Sequence, residues 1–364
     1  MNHIYNFSAG PSMLPLEVMN KAKKDFKNWC NLGSSVLEIS HRSQEFLSLV
    51  KNSKQDLRDL LNIPLNYEIL FFQGGARGQF SAIPMNFTTK NDQVDYIYSG
   101  YWSMEAAKEA KKYCKTKIIN VISEFNKKKS IIPYKKWKIN SKSNYIHYCP
   151  NETIEGISIY EEPVFKNKIL IGDFSSTLLS RKINIKKYSL IYASAQKNIG
   201  ASGITIVIIK KKIIRSPKNF VPSILSYKNI LENDSLFNTP VNFSWYLSSL
   251  IFKWIKKVGG IKKIEKINVE KANLLYKTID KSKFYNNYIH KKNRSNMNVV
   301  FQLKNKKLND IFVKEAKLKN LYALNNHKIL GGIRASIYNA MPIQGIKKLI
   351  KFMIYFEKKY YKIS

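Results

Sequence analysis

Two side chains in this sequence are placed to do carbonyl chemistry together. Asp173 ends the apolar run 169–171 and is followed by Ser175, Ser176 and Thr177. Lys197 follows a second apolar run, 190–193, with Ser194 and Gln196 before it and Gly200 closing the turn behind it. Both runs have the length and the β-branched or aromatic content of buried strands. In an open parallel sheet, ligands bind beyond the carboxyl ends of the strands, so an acid and an amine at two such ends face one pocket. A lysine amine condenses with a carbonyl cofactor. Pyridoxal phosphate uses such a lysine, together with an acid that keeps its ring nitrogen protonated. The plain alternative is a surface lysine and a helix-capping aspartate in a chain with 62 Lys+Arg.

A phosphate-bearing cofactor also needs an anion site. EILFF (68–72) reads as a short strand, followed by QGGARGQF (73–80) and by apolar Phe80, Ile83, Pro84 and Phe87 at helical spacing. Glycines between a strand and a helix start let backbone N–H groups approach a phosphate, and Arg77 adds a charge-assisted contact. The pattern is neither G-x-G-x-x-G nor a Walker loop, so a nucleotide is not the first reading. A simple glycine turn explains it equally well in isolation.

The elements that must position these residues run the length of the chain. VDYIY (94–98) and NYIHYC (144–149) read as further strands, GITIVII (203–209) as the return strand after the lysine turn. Apolar stripes from Leu16 through Trp29 and from Phe46 through Leu60 predict helices. Another helix is expected from Phe243 to Val258, and GG at 259–260 divides it from a second lobe. There NVVFQL (298–303) and ASIYN (335–339) read as strands, with helical patterns at 307–320 and 343–359.

Composition bounds the function. A length of 364 residues favours two lobes, and 44% hydrophobic content is ordinary for a globular protein. The net charge of +37 fits nucleic-acid or anionic-surface binding, but the lysines are spread along the chain in runs no longer than KKK at 127–129 and 210–212. Excess Lys, Ile, Asn and Tyr together is the mark of AT-rich codon drift, so no specific nucleic-acid partner is expected. Three cysteines without C-x-x-C give neither a disulfide framework nor a zinc site, and no metal site is visible. No stretch reads as a secretory signal or reaches the ~20 apolar residues of a membrane span, so a cytoplasmic protein is expected.

At this point nine segments carry a resemblance: NFSAGPSMLP (6–15), SHR (40–42), GGARGQF, GYWS (100–103), HYCPNETI (147–154), DFSST (173–177), AQKNIG (195–200), FNTP (237–240) and GGIRASIYNAM (331–341). Together they resemble the phosphoserine aminotransferase family, of the class V, fold-type-I pyridoxal-phosphate enzymes. The resemblance implies an α/β fold. It consists of a large cofactor-binding domain (16–258) with a mostly parallel seven-stranded sheet and a smaller α+β domain (259–364), joined by segment 1–15. It also implies pyridoxal 5'-phosphate as cofactor, and Lys197 and Asp173 as the catalytic pair. Ala76, Arg77, Trp102, Thr153, Ser175 and Gln196 would lie around the cofactor, with Trp102 on its ring and Thr153 at its phenolic oxygen. Asn238 and Thr239 would reach the cofactor phosphate of a partner subunit, making a homodimer with shared sites.

For the substrate, the resemblance implies Arg334 as the α-carboxylate clamp and Ala9, His41, Arg42, Arg77 and His327 near the substrate, the cationic ones toward its distal anionic group. The amino donor would be L-glutamate and the acceptor 3-phosphohydroxypyruvate, with the phosphorylated oxo-acid of the vitamin B6 route as a second substrate. Two positions depart from the family pattern: Ala9, where serine is frequent, and Ala76, where glycine is usual. The alternatives are another class V enzyme, such as an alanine–glyoxylate aminotransferase or a cysteine desulfurase, and a basic nucleic-acid-binding protein. A desulfurase needs a cysteine on a mobile loop, which Cys149 at a strand end does not supply.

Overall fold

The computed structural model describes residues 4–361 of the chain; the outermost three residues of the expected segments 1–15 and 259–364 lie outside it. Seven strands form the main sheet: β1 (Tyr67–Gln73), β2 (Gln93–Tyr98), β3 (Lys115–Asn120), β4 (Tyr145–Tyr148), β5 (Ile169–Asp173), β6 (Leu190–Ser194) and β7 (Ile204–Lys210). Their order across the sheet is β1-β7-β6-β5-β4-β2-β3. Only β7 runs antiparallel to its neighbours. The fold is therefore α/β with a mostly parallel central sheet. β7 is buried at every position but its last, as an uninterrupted apolar strand between two others must be.

Because β7 is antiparallel to both β6 and β1, those two run the same way. Gln73, Ser194 and Asp173 thus end on one edge of the sheet, with Ser194 opposite Thr205, Gln73 opposite Ile204 and Asp173 beside Tyr192. One face of the sheet packs on α2 (Gln44–Leu61) and α6 (Asn242–Lys257), through Phe46, Leu57, Trp245 and Phe252. The other packs on α3 (Gly75–Phe87), α4 (Tyr101–Ala110) and α5 (Tyr227–Glu232), through Phe80, Ala107 and Tyr227.

A separate apolar core lies toward the C-terminus. A three-stranded antiparallel sheet, β8 (Tyr285–Asn286), β9 (Asn298–Leu303) and β10 (Ile333–Ser336), packs on α7 (Gly260–Lys281), α8 (Asn309–Leu318) and α9 (Ile343–Tyr360). Phe7 joins this core, and its backbone carbonyl accepts from Ser336 N at 3.1 Å. Helix α7 serves two cores, Ile261 and Ile264 in the first and Ala272 and Leu275 in the last.

Two expected elements are shorter than their patterns. The first helix, α1 (Leu16–Asp25), stops before Trp29, which is buried in a separate short turn where Cys30 and Asn31 take φ of 53° and 61°. The last strand ends at Ser336 rather than Asn339. Buried Lys271 draws the carbonyls of Ile337, Tyr338 and Met341 onto its ammonium at 3.0, 2.8 and 3.1 Å, and three carbonyls turned to one cation cannot also form a ladder. Among the described residues, no helix is long and apolar enough to cross a membrane.

Candidate active site

The strand ends open into a cavity of about 420 Å³. Asp173 and Lys197 both line it, with Ser175 and Gln196 beside them. Asp173 is the last residue of β5 and 7% exposed, and its Oδ1 accepts from Ser175 N at 2.9 Å. Burial pushes its carboxyl up from the ordinary value, against the pull of Ser175 and of the Lys197 ammonium. Behind it stands Tyr192, whose hydroxyl meets His147 Nε2 at 2.9 Å. Burial pushes that imidazole down to about 3, so it is neutral. The acid therefore sits in a low-dielectric wall with no second charge of its own sign in contact.

Lys197 sits on the turn that follows β6. The N-terminal segment grips that turn: Ser12 N donates to Gln196 O at 3.0 Å, and Ser12 Oγ donates to Lys197 O. At the far end of the turn, a Cβ on Gly200 would lie 2.7 Å from Ser248 Oγ and 3.3 Å from Ser248 N, so only glycine lets the turn close on α6. Burial pushes the Lys197 ammonium down, with Asp173 the main opposing influence. A desolvated amine of this kind spends more time neutral, and so nucleophilic, than one in water.

Around this pair the walls differ in chemistry. Trp102 enters from the first turn of α4, its indole N–H donating to Thr153 Oγ1 at 2.9 Å and its ring centroid 6.0 Å from Lys197 Nζ. Gly74 and Gly75, at φ of 90° and 67°, lead into α3, and a Cβ on Gly75 would meet Ser194 Oγ at 3.3 Å. This is an anion cradle built from backbone at a helix start. Ala76 and Arg77 continue it, Arg77 largely exposed and 3.4 Å from Glu105. On the opposite side, Arg334 Nη1 donates to Thr153 O at 3.3 Å, while its buried Nε has no partner among the described residues. His327 and Ala9 complete the rim, the carbonyl of Ala9 accepting from Tyr338 OH at 3.0 Å.

Four residues expected at the site do not line this cavity: His41, Arg42, Asn238 and Thr239. The first two lie in the loop before α2, Arg42 exposed and His41 half-buried. Asn242 Nδ2 ties that loop to the second one through Ile39 O at 2.9 Å, and Gln73 Nε2 holds Thr239 O at 2.7 Å. Both loops therefore flank one another, outside their own chain's pocket. Conversely, Asn151, Ser176 and Cys149 line the cavity without having been assigned a place at it, Ser176 named only as a polar residue after Asp173 and Cys149 only as a poor desulfurase candidate. Asn151 Nδ2 bridges Ser176 Oγ at 2.8 Å and Asn298 Oδ1 at 2.9 Å. Their one sequence signal is a polar residue just after an apolar strand, a signal shared by many loop residues.

Pyridoxal phosphate fits this set of side chains. A buried amine and a buried acid share one cavity, an indole forms a flat wall, backbone N–H groups at a helix start suit a phosphate, and the unpaired Nε of Arg334 awaits an acceptor. No group of three or more His, Cys, Asp and Glu able to hold a metal ion occurs among the described residues. The family model for aminotransferase class-V matches residues 4–349. Phosphoserine aminotransferase of Buchnera aphidicola subsp. Acyrthosiphon pisum (strain Tuc7) is 61% identical over 360 residues, 99% of this chain and 100% of the relative. This chain belongs to the class-V aminotransferases, and among them to the phosphoserine aminotransferases.

Solved structures agree. One of phosphoserine aminotransferase with radiation damage of its Schiff base has a TM-score of 0.95 at 41% identity, covering 99% of this chain and 100% of that one. Another, phosphoserine aminotransferase of Trichomonas vaginalis with the cofactor bound, has 0.91 at 37%, covering 96% and 99%. As a phosphoserine aminotransferase the chain is a pyridoxal-phosphate enzyme of fold type I. The other class V activities and the nucleic-acid-binding alternative are not favoured.

Proposed function

We propose that this enzyme moves the amino group of L-glutamate to 3-phosphohydroxypyruvate, reversibly, giving 2-oxoglutarate and O-phospho-L-serine. The observation that carries this reading is the shared cavity of Lys197, Asp173 and the unpaired guanidinium edge of Arg334. Pyridoxal phosphate, when bound, supplies an aldehyde to accept the amino group and a ring that withdraws electrons from the substrate α-carbon. Lys197 takes the proton from that carbon and returns one on the other side of the exchange, as general base and then acid. Asp173 holds the proton on the ring nitrogen. Trp102 would cover one ring face, Thr153 would donate toward the phenolic oxygen, and Ala76, Ser175 and Gln196 would hold the phosphate. Arg334 grips the substrate α-carboxylate with two parallel hydrogen bonds, a geometry that lysine lacks. Arg77 and His327 turn toward the distal carboxylate or phosphate, and Ala9 offers its backbone there. The phosphorylated oxo-acid of the vitamin B6 route is a second substrate on the same chemistry.

A homodimer with shared sites belongs to this reading. Leu16, Met19, Phe26 and Leu37 are 66, 47, 50 and 49% exposed, an apolar surface that a second copy would cover. Asn238 and Thr239, and with them His41 and Arg42, would then serve the partner's cavity, which accounts for their absence from their own. The reading divides the chain into lobes 16–258 and 259–364 tied by segment 1–15, a division supported by the separate C-terminal core that includes Phe7. A cytoplasmic location accords with the three free cysteines.

The direct test is purified protein supplied with glutamate and 3-phosphohydroxypyruvate and followed for 2-oxoglutarate; no turnover by cofactor-loaded protein would refute the substrate assignment. Shared sites are tested by mixing two inactive variants, Lys197→Ala and Arg42→Ala, after partial unfolding and refolding. Each mixed dimer holds one site with both residues intact, so random pairing is expected to restore about a quarter of the wild-type activity. Absence of any recovery would mean that Arg42 does not act across the interface.

A further inference from the structure

The first turn of α4, which carries Trp102, is capped by two carboxylates from the hairpin after β4. Tyr101 N donates to Glu155 Oε1 at 2.8 Å, Trp102 N to Glu152 Oε2 at 2.9 Å and Ser103 N to Glu152 Oε1 at 2.8 Å. Ser99 Oγ adds a bond to Glu152 Oε1 at 3.4 Å. Three of the four carboxylate oxygens are thus supplied with donors. The fourth, Glu155 Oε2, is buried and has none among the described residues. The two side chains converge over Gly100, where a Cβ would stand 2.7 Å from both Glu152 Cγ and Glu155 Oε2. Glycine is required there by space, not by backbone conformation.

A helix start with three free N–H groups stabilises one negative charge well. Two converging carboxylates out of water repel each other, and a donorless oxygen cannot carry its charge cheaply. Burial pushes both acids up from the ordinary range, and the neighbouring Glu155 pushes Glu152 up further. The charged or titratable groups that bear on the pair are Lys129 and Arg334 on Glu155, Lys197 on Glu152, and Cys149 on both. The hairpin is joined to the Arg334 side by Arg334 Nη1 on Thr153 O, at 3.3 Å, and Asn326 Nδ2 on Ile154 O, at 3.2 Å. Tyr101 packs on His327 with ring centroids 5.4 Å apart.

We propose that Glu152 and Glu155 hold a single proton between them at neutral pH and act as positioning residues, fixing Trp102 in the cavity wall and leaving Arg334 unpaired for the substrate carboxylate. The proposal rests on the role given to Arg334 above. Loss of that proton leaves a second carboxylate charge acting on a guanidinium whose Nε has no partner among the described residues. Glu155 then competes with the substrate for Arg334, and the KM for glutamate rises. Glu155→Gln keeps the shape and cannot acquire the charge.

The experiment compares wild type with Glu155→Gln from about pH 6 to about pH 9 in two measurements. The ratio of wild-type to variant KM for glutamate is expected to climb by about tenfold as the pair loses its proton. The common ionisations of substrate and Lys197 cancel in this ratio. The second measurement is urea unfolding of the cofactor-free proteins. An acid raised in the folded state contributes stability that is complete below its ordinary value of 4.5 and is lost as pH rises through the folded value. Wild type should therefore lose stability with rising pH relative to the variant.

Parallel unfolding profiles would overturn the shared proton. Divergent unfolding with a flat KM ratio would overturn the positioning role. If glutamate is not turned over at all, the functional reading fails while the unfolding comparison still decides the proton. If the first variant folds poorly, Glu152→Gln gives the same unfolding comparison, because neutralising either partner removes the second charge. Its KM for glutamate is expected to exceed that of wild type at neutral pH, because Glu155 then ionises without the second acid; a KM equal to wild type would overturn the positioning role.

Discussion

Replacing Lys197 by alanine is expected to lower kcat by at least ~10³-fold. The same change should abolish the visible absorption of cofactor held covalently by the protein. The expectation follows from where the amine sits. Its backbone turn is held by Ser12 on one side and closed on Ser248 through Gly200 on the other, so the Nζ is delivered to one place. Burial lowers its affinity for a proton, which favours both attachment to an aldehyde and proton removal from carbon. Among the described residues, no other lysine lines the cavity to replace it. Single-turnover kinetics and the absorption spectrum of the variant check this directly. Wild-type rates with an unchanged spectrum would mean that another group does the chemistry.

Asp173→Asn should be nearly as damaging, with kcat lower by about 10³-fold and KM changed by much less. An amide fills the same space and can still accept from Ser175 N, so folding should survive. What it lacks is the charge proposed to keep a proton on the ring nitrogen of the bound cofactor. Asp173 is buried, and beyond it the Tyr192 hydroxyl and a neutral His147 provide no substitute anion. With the cofactor bound, an uncharged amide in this wall would forgo a buried ion pair, which is why the expected effect exceeds that of a surface charge. Steady-state kinetics of the variant, with its thermal unfolding as a control, decide the matter. Retention of kcat within tenfold would remove Asp173 from the mechanism.

Both variants act at strand ends, and strand ends are where the sequence is most legible. β7 is recognisable because an uninterrupted apolar run has no solvent face, and β5 and β6 because each stops abruptly on polar residues. Periodicity failed where a long-range contact outweighed it. Trp29 continues the apolar stripe of α1, but the chain turns at Cys30 and Asn31, and the indole is buried against Tyr246 with ring centroids 6.2 Å apart. The strand pattern of 335–339 gave way to a buried cation on α7, a residue far away in the chain.

The sequence by itself determined most of the strands and helices, though not β3 or α5, the acid and the amine that end β5 and β6, and, through nine ordered segments, the family. These are local matters of side-chain type, run length and motif. Only the tertiary structure decided that Asp173 and Lys197 open into one cavity with Arg334, that His41, Arg42, Asn238 and Thr239 stay outside it, and that Glu152 and Glu155 meet over Gly100. Each of those depends on sheet order and on how separate segments pack, and a carboxylate carries no mark in the sequence of the second carboxylate it will face once water has been excluded.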